Sequence, residues 1–330
     1  MTAASDVIRV VDADAPADLE LPSVTALAPP VVAVADDPER LASTHWLDIA
    51  SFTLTERPTS DPRCVRVDSI DVAVADLTAR IAAAPVSAAV NADVFASVDT
   101  AGDPRRALVT ESLAYSTLQS GSEFRRWADQ RGPVRIEPPT QTPPVLYRRA
   151  GSALHITFNR PHRHNAFTDS MRAILLEALT VAAHDPTITS ISLRGAGRSF
   201  CSGGDLAEFG AFADPAAAHL ARTRHSPALG LDLLRRRLGT STRAYLHGQV
   251  LGSGLEMASF CGHLTADPHA RFGLPELSVG LIPGAGGTYS VPRRIGRWRS
   301  CYLVLSGAVL DAGTALEWGL VDAIEACAPA

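Results

Sequence analysis

Three stretches of this chain combine glycine with acid in a way suited to chemistry on a carbonyl. In residues 199–206, Gly203 and Gly204 precede Asp205; in residues 247–258, Gly248, Gly252 and Gly254 precede Glu256. In residues 272–288, Glu276 is followed by Gly284, Gly286 and Gly287. Each stretch reads as a strand running into a glycine turn and then a helix. Glycine lets backbone N–H groups face outward there, and a helix N-terminus adds positive potential. Two such turns meeting at one point form a main-chain oxyanion hole, which stabilises negative charge developing on a carbonyl oxygen. Taken singly, each is better explained as a tight turn the fold requires. On its own, Glu256 reads as an acid at a helix start, and Asp205 as a cap or turn acceptor.

Other arrangements fail on spacing. Gly252 and Gly254 imitate a dinucleotide fingerprint, but Met257 stands at the third glycine position and the turn lies deep in the chain. The pairs His162 with His164 and Cys261 with His263 lack further ligands at metal-site spacing, so no metal is expected. Cys201 has no evident general base beside it and reads as a small buried residue.

The elements that must position these turns fall into two halves. Residues 1–60 are rich in proline and alanine, with apolar bursts at Val7–Val11 and Val31–Val34 that suit strands; residues 1–25 are expected to be poorly ordered. Residues 61–132 are helical in pattern: 75–84 ends at Pro85, a second stretch starts at Val86, and a third, 106–118, carries Leu108, Ser112, Tyr115 and Leu118 on one face. Glu123 to Arg131 reads as a last helix, and the five prolines of 133–144 mark a linker. Residues 145–330 then read as α/β: short strands around Gly151, Thr168 capping a helix over 170–184, and an alternating strand at Ile188–Leu193.

Composition excludes several classes. With 46% hydrophobic and 20% charged residues over 330 positions, the chain has material for a sizeable core and is not a disordered protein. No apolar run approaches the roughly 18 residues of a membrane span. All 30 basic residues are arginine, yet net charge is −5, so neither nucleic acid nor membrane is an expected partner. Five scattered cysteines and no leader pattern lead to the expectation of reduced thiols in a cytoplasmic protein.

Taken together, the motifs resemble the crotonase family of enoyl-CoA hydratases and isomerases, over roughly residues 145–325. The match runs from Thr157-Phe-Asn-Arg-Pro and Asn165-Ala-Phe through Phe200-Cys-Ser-Gly-Gly-Asp and His247-Gly to the turn ending at Glu256. Leu274-Pro-Glu, Ile282-Pro-Gly-Ala-Gly-Gly-Thr and Gly319-Leu-Val-Asp complete it. The resemblance implies a spiral of ββα units, an acyl-CoA thioester as substrate, no separate cofactor, and assembly as a homotrimer or hexamer. It places the oxyanion amides on Gly204 and on Ser253, where many relatives have glycine. It also makes Glu256 and Glu276, 20 residues apart (276 − 256), the acid/base pair of a hydratase. CoA would meet Arg163, His164 and Ala166 in the 160–166 loop, then Gly204, Asp205, Leu206 and Gly284. The helices of 211–238 would cover the acyl group.

Two departures bear on function. Relatives often carry lysine after the first oxyanion turn, where this chain has Leu206-Ala-Glu, so any phosphate clamp must use arginine, histidine or backbone. The family's closing C-terminal helices are not found after Gly319-Leu-Val-Asp. Residues 76–127, with Glu111-Ser-Leu-Ala-Tyr at their centre, resemble those helices from the opposite end of the chain. The expected activity is hydration of a 2-enoyl-CoA to a 3-hydroxyacyl-CoA, or the reverse. The alternatives are double-bond isomerisation and a non-catalytic assembly or regulatory subunit.

Overall fold

Short apolar bursts near the N-terminus build a small sheet. The computed structural model describes residues 7–13, 29–38, 46–134, 142–210 and 214–326. Much of the first 45 residues, the linker residues 135–141, residues 211–213 and Cys327 lie outside that description. Strands β1 (Arg9–Asp12) and β2 (Val31–Val34) are followed by a helical turn, α1 (Trp46–Ile49), and by β3 (Phe52–Thr55) and β4 (Cys64–Arg66). The four strands lie parallel in sequence order.

Four helices follow. Ser69 caps α2 (Ile70–Ala83) by accepting the Val72 N–H at 3.4 Å. The helix stops at Ala84 because Pro85 cannot donate to its ladder; Pro85 instead opens α3 (Pro85–Ser97), whose axis turns away by 109°. Asp103 caps α4 (Pro104–Gln119), and α5 (Ser122–Arg131) begins after Gly121. On α4 the face expected to be apolar does turn inward, with Leu108, Ser112, Tyr115 and Leu118 all buried, and Glu111 is buried among them.

In the second half, β5 (Val145–Ala150) and β6 (Ala153–Phe158) form a hairpin about Gly151, whose φ of +61° suits glycine. Thr168 accepts the Met171 N–H and starts α6 (Asp169–His184), which buries Met171, Leu175, Ala178, Leu179 and Ala182. Strand β7 (Ser190–Gly195) alternates buried and half-buried residues along β6. Helices α7 (Pro215–Arg224) and α8 (Pro227–Leu238) precede β8 (Thr242–Leu246), β9 (Gln249–Leu251) and α9 (Ser253–Ala258). Strands β10 (His263–Ala266) and β11 (Arg271–Gly273) lead to α10 (Gly287–Ser290), α11 (Pro292–Ser306), α12 (Ala312–Glu317) and β12 (Ala323–Ile324).

Successive turns of chain stack as the crotonase spiral requires. β7, β8 and β10 lie side by side in a sheet of order β12-β10-β8-β7-β6-β5, parallel except for the hairpin. The strands that follow β8 and β10, namely β9 and β11, pair with each other in a second sheet, and Cys201 bridges onto Val250 in the same direction. The glycine turns therefore end up adjacent although far apart in sequence. The N-terminal helices share this core: Leu77, Ile81, Ala88, Phe95 and Leu108 belong to one buried apolar cluster with Phe158, Leu175 and Leu255. A smaller cluster joins Val94, Tyr115, Leu118 and Phe124 to Val279, Leu281 and Ile282. Each Leu, Ile, Val or Phe side chain among them contributes about 1.5–3 kcal/mol when buried.

Candidate active site

The first two turns abut at their glycines. Gly203 has φ +101° and Gly252 φ +47°, and a Cβ on Gly252 would lie 3.5 Å from the Gly203 Cα. It would also fall 2.7 Å from Glu276 Oε1, so the turn needs glycine for its angle and for the space Glu276 occupies. Strand-like bonds tie the turns together: Cys201 N–H donates to Gln249 O (3.1 Å), and Leu251 N–H to Cys201 O (3.0 Å). Among the described residues no acceptor meets the N–H of Gly204, or that of Ser253, the first residue of α9.

A cavity of about 180 Å³ opens at this point. Gly204, Ser253, Glu256 and Glu276 line it together, with Asp205 and Gly284; Ala218, Ala221, Arg222 and Pro227 form part of its wall from α7 and α8. Arg163, His164, Ala166 and Leu206, assigned to CoA from the sequence, are not among its lining residues. Their contacts are with the turn. Arg160 donates to Ala166 O (2.6 Å) and Asp205 Oδ2 (2.9 Å), Arg163 lies 3.7 Å from Asp205 Oδ1, and His164 Nδ1 is 3.0 Å from Ser199 Oγ. Leu206 is exposed, and its carbonyl accepts from Arg131 at the end of α5. Asp205 accepts the Ala207 N–H at 3.1 Å, the turn role its sequence suggests. On α8, Arg236 and Arg237 are exposed; Arg235 and Arg236 pair with buried Asp232, and Arg237 donates to Ala182 O and Ile188 O.

The acids differ in how they are held. Glu256, on α9 and 2% exposed, accepts through Oε2 from Ala285 N–H (2.7 Å) and Gly287 N–H (2.8 Å). Glu111, from α4 and also 2% exposed, takes the intervening donors: Gly286 N–H at 2.8 Å, Thr288 N–H at 2.9 Å and Thr288 Oγ at 2.7 Å. Two carboxyls thus share four consecutive N–H groups of one helix start. Glu276 opens a single 3-10 turn after β11, and its buried Oε2 has no hydrogen-bond partner among the described residues. Tyr115, one turn beyond Glu111, packs where a Cβ on Gly284 would fall, 2.5 Å from its ring.

Burial raises all three carboxyls above the ordinary range. It pushes Glu276 up to about 8, helped by the charge of Glu111, and Glu111 up to about 7 against the pull of the Gly286 and Thr288 donors. Glu256 is raised by burial, then by Glu276 and Glu111, while its two N–H donors oppose the shift. Burial also pushes the Cys201 thiol up to about 12, which leaves it an inert core residue. Arg222 stacks over the Tyr115 ring at 4.4 Å and donates to Ser116 and Gln119. Among the described residues no group of three or more His, Cys, Asp or Glu side chains is arranged to hold a metal ion.

Sequence reasoning missed Glu111, Tyr115 and Arg222 as parts of this region. For Glu111 a signal existed. It sits three residues after Leu108 and four before Tyr115, a carboxylate on the face of α4 that otherwise reads as core.

Comparison with known proteins agrees with this geometry. Residues 148–328 match the family described as enoyl-CoA hydratase/isomerase. The chain is 34% identical over 178 residues to a 2,3-dehydroadipyl-CoA hydratase of Escherichia coli K12, covering 54% of this chain and 68% of that protein. A 1,2-epoxyphenylacetyl-CoA isomerase of the same organism is 37% identical over 186 residues, with the same coverage of 54% and 68%. The solved enoyl-CoA hydratase subunit I of Geobacillus kaustophilus HTA426 superposes with a TM-score of 0.50 at 29% identity, over 56% of this chain and 69% of its own. In fold, in the order of its motifs and in sequence, the chain belongs to the enoyl-CoA hydratase/isomerase family and shares its crotonase architecture.

Proposed function

We propose that this acyl-CoA-processing enzyme adds water across the double bond of a 2-enoyl-CoA, or removes it. The observation that carries the proposal is the shared cavity: two carboxyls, Glu256 and Glu276, face the same space as Gly204 and Ser253, whose amides have no other acceptor among the described residues. Burial raises Glu256, but the N–H pair on its Oε2 opposes that rise and orients the carboxyl, which suits Glu256 as the base. Glu276 lacks comparable donors, and burial with the charge of Glu111 raises it to about 8, so it holds a proton at neutral pH, which suits it as the acid.

The steps follow. Glu256 takes a proton from water as the water oxygen bonds to the β carbon. The electron pair of the C=C bond moves onto the thioester oxygen as an enolate, held by the Gly204 and Ser253 amides. The enolate collapses onto a new C–H bond at the α carbon, with the proton coming from Glu276. Proton return from Glu256 to Glu276 then resets the pair, and the net change is addition of one water.

The reading also assigns α2–α5 the role that C-terminal helices play in the family, supplied from before the catalytic turns. The contacts of Glu111 and Tyr115 with residues 284–288 support it. The test is loss of the conjugated thioester absorbance of crotonyl-CoA. Turnover abolished in both Glu256→Gln and Glu276→Gln supports hydration. Double-bond migration in a 3-enoyl-CoA that survives one of these changes supports isomerisation instead.

A further inference from the structure

Glu111 does not line the cavity and bonds no residue assigned a chemical step, yet it makes three hydrogen bonds to Gly286 and Thr288, 175 and 177 positions away. All three go to the helix start that also holds Glu256. On that start the donors alternate: Ala285 and Gly287 to Glu256, Gly286 and Thr288 to Glu111. Because the four peptide groups are consecutive, the direction of one pair fixes that of the other. Tyr115, on the same face of α4, packs against Gly284 at the start of the run. Helix α4 is itself anchored, since Ser112 and Ser116 bond His219 and Arg222 of α7.

We propose that Glu111 is a positioning residue for the reaction: by holding the Gly286 and Thr288 amides, it aims the Ala285 and Gly287 amides that orient the Glu256 carboxylate. A rival explanation is that Glu111 merely caps a short helix. The chain contains a matched control for that explanation. Glu123 makes the same three bonds at the start of α3, to Val86 N–H (2.8 Å), Ser87 N–H (2.9 Å) and Ser87 Oγ (2.6 Å), away from the catalytic cavity. A cap and a positioning residue therefore differ by location, with chemistry held constant.

The experiment compares Glu111→Gln with Glu123→Gln in the full chain, by crotonyl-CoA kinetics and by hydrogen exchange resolved to single amides. In Glu111→Gln, kcat falls about 10- to 100-fold while KM stays within about twofold, since misaiming a catalytic group by about 1 Å removes rate rather than affinity. Exchange at Ala285 and Gly287, which Glu111 does not touch, becomes at least about tenfold faster. Glu123→Gln changes neither kcat nor that exchange. Unchanged protection at Ala285 and Gly287, or a kcat loss no greater than in Glu123→Gln, overturns the proposal. Should Glu111→Gln not fold, Thr288→Val removes one of the three bonds, and kcat about 3- to 10-fold down at constant KM is the supporting result; wild-type kcat and exchange in that variant overturn it. The kinetic half rests on the hydratase reading. A wild-type enzyme with no turnover overturns that reading, while the exchange measurement still decides the role of Glu111.

Discussion

Replacing Glu276 by glutamine tests the assignment of the acid through stability and rate together. The carboxyl sits where burial and the charge of Glu111 raise it to about 8, against an ordinary 4.5. A carboxyl raised on folding is bound more tightly by its proton in the folded state, so stability is full below about 4.5 and declines as pH rises to about 8. At about 1.4 kcal/mol per tenfold, the interval sets a ceiling of about 5 kcal/mol. Sharing of the protons with Glu256 and Glu111 lowers it, and about 2 kcal/mol is a working figure. Glutamine removes this penalty and adds an unpaired amide of about 1–3 kcal/mol that does not depend on pH. Relative to wild type, Glu276→Gln therefore gains about 2 kcal/mol between pH 5 and pH 8.5, read from urea unfolding at both pH values. Its turnover of crotonyl-CoA falls by about 10²–10⁴ at every pH, because no proton reaches the α carbon. A stability difference that stays flat with pH, or turnover within tenfold of wild type, refutes the reasoning.

Two further substitutions probe the framework. A Cβ at Gly287 would sit 2.5 Å from Glu256 Cγ, so Gly287→Ala should displace that carboxyl and lower kcat about 10²-fold, with a stability loss of about 1–3 kcal/mol; unchanged kcat in steady-state assays contradicts this. Arg160→Met leaves Asp205, 5% exposed, without its 2.9 Å partner beside the first oxyanion turn. It should cost about 3–5 kcal/mol in urea unfolding, and a loss below about 1 kcal/mol contradicts the turn-anchoring role.

How much of this was legible in the sequence depends on the range of the interactions involved. Local rules found the caps at Thr168 and the hairpin at Gly151, because a side-chain oxygen three residues from its donor, or a positive φ, is written in adjacent residues. The motif order also brought Gly204, Ser253, Glu256 and Glu276 to one cavity. What stayed hidden is non-local. Nothing near Arg163 or His164 in sequence shows that Asp205 and Ser199 lie beside them. Nor does the sequence around Glu111 show that its partners are Gly286 and Thr288. A carboxylate on an apolar helix face says only that some donor must meet it.

The proposed proton transfers require that charge at the site be balanced without pinning either carboxyl in its ionised form. Among the described residues, no arginine or histidine forms an ion pair with Glu111, Glu256 or Glu276; the nearby cation Arg222 is spent on the Tyr115 ring and on the side chains of α4. An arginine paired to Glu276 would hold its carboxyl ionised at neutral pH and leave nothing to donate. Four peptide dipoles of one helix start do a different job. They oppose the rise that burial gives Glu256 and Glu111, while the charge of Glu111 adds to burial in raising Glu276. Backbone N–H groups are thus shared unequally among the three carboxyls, an inequality the proposed division into acid and base relies on, and α4 takes part in it from the other half of the chain.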